Sequence, residues 1–187
     1  MAPADGGPDC DRPLPSRDLD VGDAIRSRRT HKQYGAEAVD EASLRDLLDL
    51  ARFAPNHHLT QPWRFRVLGP ETRSRIEAAA GAKEAMKLRR APTLVLATAT
   101  LSGDPHTDQE DLHATAAAVY AVLLGATERG LASYWRTPAC FEEPAVRQVV
   151  GLGADERVVA LIHLGPPAGD PPAKERLPLA EVLTFLP

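Results

Sequence analysis

The sequence predicts an α/β or α+β domain in which helices cover a central sheet. Segments with apolar residues at helical spacing alternate along the chain with short apolar or alternating runs that are typical of strands. Capping and turn residues separate these segments, so each one has a clear start and stop. The 187 residues suit one domain with a full core. Interspersed helices and strands of this kind form a sheet that is covered by helices.

The first half of the chain predicts three helices and a strand. Asp20 and Asp40 are good N-caps, and an apolar stripe of leucines and alanines follows Asp40. Pro55 ends that second helix, and Pro70 suits the first position of a third. The predicted elements are a helix over 21–29, a helix over 41–54, a half-buried strand over 63–69 and a helix from 70 to about 90.

The second half predicts a buried sheet around one long helix. The strand over 93–100 is almost entirely apolar, which indicates burial on both faces. The long helix starts at Asp108, and Gly130 is its natural stop. The segment "LASYWRTPACF" (131–141) follows without a helix or strand pattern. The remaining predicted elements are a short helix over 143–151, a strand over 157–165 and an amphipathic turn over 178–186.

Composition limits the compartment and the partners. Residues 1–19 predict a disordered leader, so the ordered domain is expected over 20–187. Cys10 and Cys140 form no disulfide framework, which indicates a reducing compartment. The longest apolar run, 116–126, is too short to span a bilayer, and the first residues lack the apolar core of a signal peptide. We therefore expect a cytoplasmic protein.

The charge balance argues against nucleic-acid and membrane-surface binding. The net charge is −4 and aromatic residues make up 5% of the chain. No basic patch is interleaved with aromatic residues, as a base-stacking surface would require. Partners are therefore expected among small molecules and proteins.

Basic residues in two distant segments are candidates for phosphate binding. Arg28 and Arg29 end the first predicted helix, where cations also interact favourably with the helix dipole. Their guanidinium groups could instead bind a phosphate, with Thr30 adding a hydroxyl donor. Lys174 and Arg176, in the proline-rich tail, are either surface charges or a second phosphate contact.

The adjacent pair His57 and His58 raises three possibilities: a metal site, a solvated loop, or a donor to a flat heterocycle. Adjacent histidines chelate one ion poorly, and no carboxylate lies nearby in sequence, so no metal is predicted. Cys140 lacks the local signature of a catalytic nucleophile. Rossmann and Walker A glycine motifs are missing from the sequence, so a nucleotide cofactor would be held in another way.

Four segments together resemble the nitroreductase family of FMN-dependent oxidoreductases over about residues 20–186. Asn56 and Leu59 depart from the commoner family loop, and the form present here is similar to that of a compact bacterial subgroup. The resemblance implies an α+β fold with a central mixed sheet covered by helices, and a C-terminal tail that extends toward a dimer partner. The segments are "AIRSRRTHKQY", "ARFAPNHHLTQPWRFRVL", "GLASYWRTP" and "VVALIHLGPPAGDPPAKERLPLAEVL".

The resemblance also implies a site for FMN at the interface of a homodimer. Arg28, Arg29 and Thr30 would serve the phosphate and the ring edge, and the tail cations would complete the phosphate site. The loop residues would reach the flavin from the other subunit. The implied cofactor contacts are Arg28, Arg29, Thr30, Asn56, His57, Gln61, Trp135, Arg136, Thr137, Lys174 and Arg176.

The implied activity is ping-pong electron transfer. NAD(P)H would give hydride to flavin N5, and an electron-poor acceptor such as a nitroaromatic or a quinone would then take the electrons. No side chain is predicted to act as an acid or base. The alternatives are a flavin-binding or storage protein without turnover, a flavin-dependent dehydrogenase or dehalogenase on the same fold, and a metal-binding module built on His57 and His58.

Overall fold

The structure, a computed structural model, describes residues 19–187, so Cys10 and all but the last residue of the predicted leader lie outside the described part. These residues form six α-helices and one four-stranded sheet. The elements are α1 (Val21–Ser27), α2 (Glu41–Leu50), β1 (Trp63–Val67), α3 (Pro70–Ala80), α4 (Ala82–Leu88), β2 (Thr93–Thr100), α5 (Pro105–Glu128), β3 (Ala132–Arg136), α6 (Pro144–Val149) and β4 (Glu156–Gly165). Short 3-10 turns lie at Ala51–Phe53, His57–Leu59, Ala139–Glu142 and Leu179–Glu181.

The strand order in the sheet is β1-β2-β4-β3. The α+β class is therefore confirmed, since an antiparallel sheet is covered by helices. The expectation of a mixed sheet is corrected for these four strands, because all three strand pairs are antiparallel. Within residues 19–187, parallel pairing occurs at the isolated bridge between Thr30 and Ser133.

Each face of the sheet carries its own core. On one face, α2 and α5 pack against the strands, with Leu47, Val119 and Ile162 buried between them. On the other face α3, α4 and α6 form a second cluster that includes Ile76 and Phe141. Both faces of β2 and β4 are covered, which explains their continuous apolar runs. In the described part of the chain no helix is long and apolar enough to cross a membrane.

Three predicted elements differ from the structure for local reasons. The predicted third helix is two helices, because Gly81 between them has φ of 80°. The long helix begins at Pro105 rather than Asp108, since the Asp104 carboxylate caps it by accepting from the backbone N–H of Thr107. The strand β3 was not predicted, because most of its side chains are only half-buried and show no alternation.

The predicted helix ends also shift. The first helix ends at Ser27, and the second ends at Leu50 before a 3-10 turn. The predicted amphipathic turn contains a 3-10 turn over Leu179–Glu181, and its apolar side chains are exposed. Phe185, for example, is 87% exposed. The tail therefore has apolar surface that its own chain does not bury.

An ion pair joins β1 to β4 across β2. Arg66 donates to both carboxylate oxygens of Glu156, at 2.7 and 2.6 Å. The Thr98 hydroxyl on β2 donates to the same carboxylate at 2.5 Å. The Arg66 hydrogen bonds are the main cause that lowers the pKa of Glu156 to about 2.

We predict that this carboxylate makes stability depend on pH in the acid range. Because folding lowers the pKa of Glu156 from 4.5 to about 2, its stabilisation is complete above pH 4.5 and is lost as pH falls toward 2. Glu156→Gln should lower the free energy of unfolding at neutral pH by roughly 3 kcal/mol. It should also flatten the acid limb of the stability curve, as measured by denaturant unfolding at several pH values.

Glu41→Gln is the matched control, because Glu41 pairs with Arg45 on the surface. Its stability curve should follow that of the unsubstituted protein. If the free energy of unfolding of Glu156→Gln fell as steeply with acid as that of the unsubstituted protein, Glu156 would not be the source of the pH dependence.

Candidate functional site

Two segments that are distant in sequence meet beside β3 and the end of β4. Thr30 forms a parallel bridge with Ser133, and the backbone N–H of His31 donates to the Ser133 carbonyl at 3.1 Å. The N–H of Gly35 donates to the carbonyl of Pro166 at 2.9 Å. The segment after α1 is thereby held next to the start of the C-terminal tail.

A cavity of about 470 Å³ lies between these two segments. It brings together the cations that were predicted to bind phosphate from both ends of the chain. Five basic side chains line it, against one carboxylate. The lining residues are Arg28, Arg29, Thr30, His31, Lys32, Gln33, Gly169, Asp170, Pro171, Pro172, Lys174 and Arg176.

These cations are not neutralised by neighbouring acidic groups. Arg29 donates to the carbonyls of Arg26 and Arg28, and Arg176 donates to the carbonyl of Lys174. Within residues 19–187, none of the five basic side chains forms a salt bridge. Clustered cations without counter-charges create a positive potential that attracts an anion, and guanidinium groups match the geometry of phosphate.

A second cavity of about 810 Å³ adjoins the first. It shares Arg29, His31 and part of the tail with the first cavity, and the C-terminal end of α5 closes it at Thr127. Leu131 and several prolines supply apolar surface there. The combined groove therefore has room beside its cationic end for a larger and partly apolar group.

Asn56 and His57 lie in a different place, a cleft of about 370 Å³ against the N-terminal half of α5. His57 Nδ1 lies 2.8 Å from Glu110 Oε2, and this contact lowers the pKa of the Glu110 carboxyl. The Asn56 side-chain oxygen accepts from the backbone N–H of Gln61 at 2.9 Å. The Gln61 side chain is exposed. The three predicted loop residues are therefore neighbours.

The loop and the cationic cavity lie near opposite ends of α5. The loop contacts Glu110, and the cavity system reaches Thr127. These two positions are about 25 Å apart along the helix at 1.5 Å per residue. The loop and the groove therefore lie against different halves of α5.

Trp135, Arg136 and Thr137 line none of these cavities. The Trp135 indole packs on the core and donates to the Val159 carbonyl at 3.1 Å. The Arg136 guanidinium donates to Glu84 at 2.9 Å. The side chains of Trp135 and Arg136 thus have contacts inside the chain, and the cofactor contacts of this segment stay a prediction.

The metal and nucleophile alternatives find little support in the described residues. Among residues 19–187, no group of three or more His, Cys, Asp and Glu side chains is placed to hold a metal ion. Cys140 is buried, and burial is the main cause that raises the pKa of its thiol. A buried neutral thiol is a poor nucleophile.

Several residues of these sites were not predicted from the sequence. Lys32 lines the cationic cavity and stands in the same basic segment as Arg28, so its charge was a usable signal. Glu110 and Asp111 contact the His57 loop from more than 50 residues away. No local pattern connects them to the loop.

Comparison with known proteins gives one consistent family. The family model for the nitroreductase family matches residues 25–166. The chain is 30% identical over 178 residues to YfhC of Bacillus subtilis, which carries the name of an NAD(P)H nitroreductase; the match covers 87% of this chain and 92% of that protein.

Solved structures agree with this match. A nitroreductase-like family protein from Bacillus cereus has the same fold, with a TM-score of 0.81, 24% identity and coverage of 90% of this chain and 96% of that one. A structure from Desulfovibrio desulfuricans, described as a nitroreductase in complex with FMN, has a TM-score of 0.77 and 28% identity. The match covers 91% of this chain and 98% of the Desulfovibrio desulfuricans chain.

We predict that the cationic cavity binds inorganic phosphate and that Arg28 contributes to it. A hydrogen bond to a charged group contributes about 1.5–3 kcal/mol, so Arg28→Ala should raise the Kd for phosphate by roughly tenfold or more. Calorimetric titration at constant ionic strength measures this. Arg45→Ala, a substitution in a surface ion pair on α2, should leave the affinity unchanged. Equal affinities for Arg28→Ala and the unsubstituted protein would place the anion elsewhere.

Proposed function

The chain belongs to the nitroreductase family, and on that premise we propose that it is an FMN-dependent oxidoreductase that passes electrons from NAD(P)H to an electron-poor small molecule, such as a nitroaromatic or a quinone. The observation that carries the proposal is the cavity in which five basic side chains converge, none of them in a salt bridge within residues 19–187. FMN has a dianionic phosphate at one end and a flat ring at the other, so it needs cations beside a partly apolar groove.

The residues present fit this cofactor. Arg28, Arg29 and Lys32 reach the cavity from one segment, and Lys174 and Arg176 reach it from the tail. Backbone hydrogen bonds hold the first of these segments to Ser133 and to Pro166 at the start of the tail, which brings the two groups of cations to the same cavity. The adjoining groove at the end of α5 offers apolar surface for a flat ring.

The protein's part in the reaction is binding and electrostatics. When bound, FMN supplies the hydride and electron transfer that no side chain of this site can perform. The cations hold the phosphate and thereby orient the rest of the molecule in the groove. Positive charge near the ring also favours any negative charge that develops there.

We also propose that the working unit is a homodimer with the flavin at its interface. The loop contacts Glu110 and the cavity system reaches Thr127, about 25 Å away along α5, which favours a flavin that takes its cations from one chain and its loop contacts from the other. If two copies of α5 pack side by side in opposite directions, the loop of one chain comes close to the cavity of the other. Two such sites then form by symmetry.

Unburied apolar surface supports this assembly. The half-exposed side of α5 carries Ala117, Tyr120, Ala121 and Leu124, so the helix is apolar on its outer side as well as on its inner side. A helix that is apolar on all sides is normally buried on all sides. The tail adds a series of exposed large apolar side chains that needs a cover as well. They are Leu177, Leu179, Val182, Leu183, Phe185 and Leu186.

The proposed activity predicts a visible spectrum that bleaches. Protein loaded with FMN should show flavin absorption that disappears on anaerobic addition of NADPH or NADH, and that returns when a quinone or a nitroaromatic is added. Flavin bands that persist with both reductants would favour a flavin-binding or storage protein without turnover. Failure to bind FMN at all would overturn the proposal.

The proposed interface predicts that a charge on the outer side of α5 separates the subunits. Ala121→Arg should convert a dimer into a monomer in light scattering and should sharply weaken FMN binding, since one site would then lose the contacts of the second chain. Ala79→Arg introduces the same charge on the exposed side of α3 and should change neither property. An Ala121→Arg protein that remains dimeric with full FMN content would move the interface away from α5.

A further inference from the structure

The loop 56–61 has a backbone that its residues do not favour. His58, Leu59 and Gln61 have φ values of 52°, 54° and 46°. Residues other than glycine adopt this left-handed region uncommonly, and leucine and glutamine lack the short polar side chain that eases it for asparagine and aspartate. The three side chains are exposed, so their own packing does not compensate. One hydrogen bond inside the loop, from the Gln61 N–H to the Asn56 side chain, helps to hold this conformation, and further contacts come from outside the loop.

Two adjacent carboxylates on α5 supply those contacts. Glu110 Oε2 lies 2.8 Å from His57 Nδ1 at the start of the loop. Asp111 Oδ1 accepts from the Thr60 hydroxyl at 2.6 Å near its end. Asp111 is 5% exposed, and a buried carboxylate is costly unless a donor binds it. The loop therefore depends on Asp111, and Asp111 depends on the loop.

Stabilisation of the helix dipole is the simpler explanation for acidic residues near the start of α5. The helix start already has other acidic partners. Asp104 accepts from the N–H of Thr107, and Asp108 accepts from the N–H of Ser102 at 2.7 Å. Glu110 and Asp111 follow in the second turn and bond to the loop, and Glu110 Oε1 also lies 3.5 Å from His106 Nε2 on the same helix. Their contacts point to a role in the loop conformation.

We infer that Glu110 and Asp111 are positioning residues that fix loop 56–61 so that His57 and Gln61 face the cofactor of the other subunit. The inference rests on the proposed function. Because Glu110 engages Nδ1 of His57, the remaining ring nitrogen, Nε2, is left for another partner. It has no hydrogen-bond partner within residues 19–187, and the Gln61 side chain is also exposed.

The Asp111–Thr60 contact is tested by a double-mutant cycle on the free and the FMN-loaded protein. Asp111→Ala and Thr60→Val should each speed hydrogen exchange of the amides in loop 56–61 and raise the Kd for FMN roughly tenfold, which is the size of one hydrogen bond to a charged group. The double variant should be no worse than either single one. Thr60→Ser keeps the hydroxyl and should restore both properties.

The Glu110 contact is tested in the same assays. Glu110→Ala should change loop exchange and FMN affinity in the same direction as Asp111→Ala. Asp108→Ala is the matched control, because Asp108 lies on the same helix end but bonds to Ser102 and Gly103 rather than to the loop. An equal effect of Asp108→Ala would show that the helix start, and not the loop contact, is responsible, and would overturn the inference.

Other outcomes separate this inference from the proposed function. Unchanged loop exchange in Thr60→Val, a surface variant that is expected to fold, would overturn the positioning role. Additive effects in the double variant would do the same. Failure of the unsubstituted protein to bind FMN would overturn the proposed function and the cofactor part of the inference. Hydrogen exchange in the free protein would still decide whether the carboxylates hold the loop.

Discussion

The close packing of α5 against the sheet is the constraint on which the rest of the molecule depends. Buried alanines such as Ala118 and Ala126 face inward, and small side chains let the helix approach closely. The helix also packs closely against α2, since a Cβ atom at Gly125 would lie 2.3 Å from Leu50 Cδ1. The helix contacts all four strands, α1 and α2. Both candidate ligand-binding regions are therefore placed by its two ends.

The two ends of α5 serve different physical purposes. At its C-terminal end, Thr127 borders the groove beside the cationic cavity, where unpaired positive charges repel each other until an anion arrives. At its N-terminal end, Glu110 and Asp111 hold a loop that would otherwise relax. A loop that is already held in one conformation by its own chain loses less conformational freedom when a ligand binds.

The paired and unpaired arginines of this protein make an instructive contrast. Arg66 has a carboxylate partner in Glu156 and joins two strands, so its charge contributes to the fold. Arg28 and Arg29 have no such partner within the described residues 19–187, although the segment that follows them is held by backbone hydrogen bonds to Ser133 on β3 and to Pro166 just after β4. Their charge is thus available to a ligand. Burial and pairing, rather than residue type, distinguish the structural arginine from the two binding candidates.

The sequence by itself determined what local patterns encode. Capping residues, helical periodicity and the apolar runs of β2 and β4 predicted most elements, and the basic segment after α1 was recognisable as a candidate anion site. Only the tertiary structure showed that residues 132–136 form the strand β3 and that the segments 28–33 and 169–176 line one cavity. It alone also showed that Glu110 and Asp111 contact the loop. The reason is that each of these depends on hydrogen bonds or proximity between segments far apart in the chain, which leave no periodic signal in either segment.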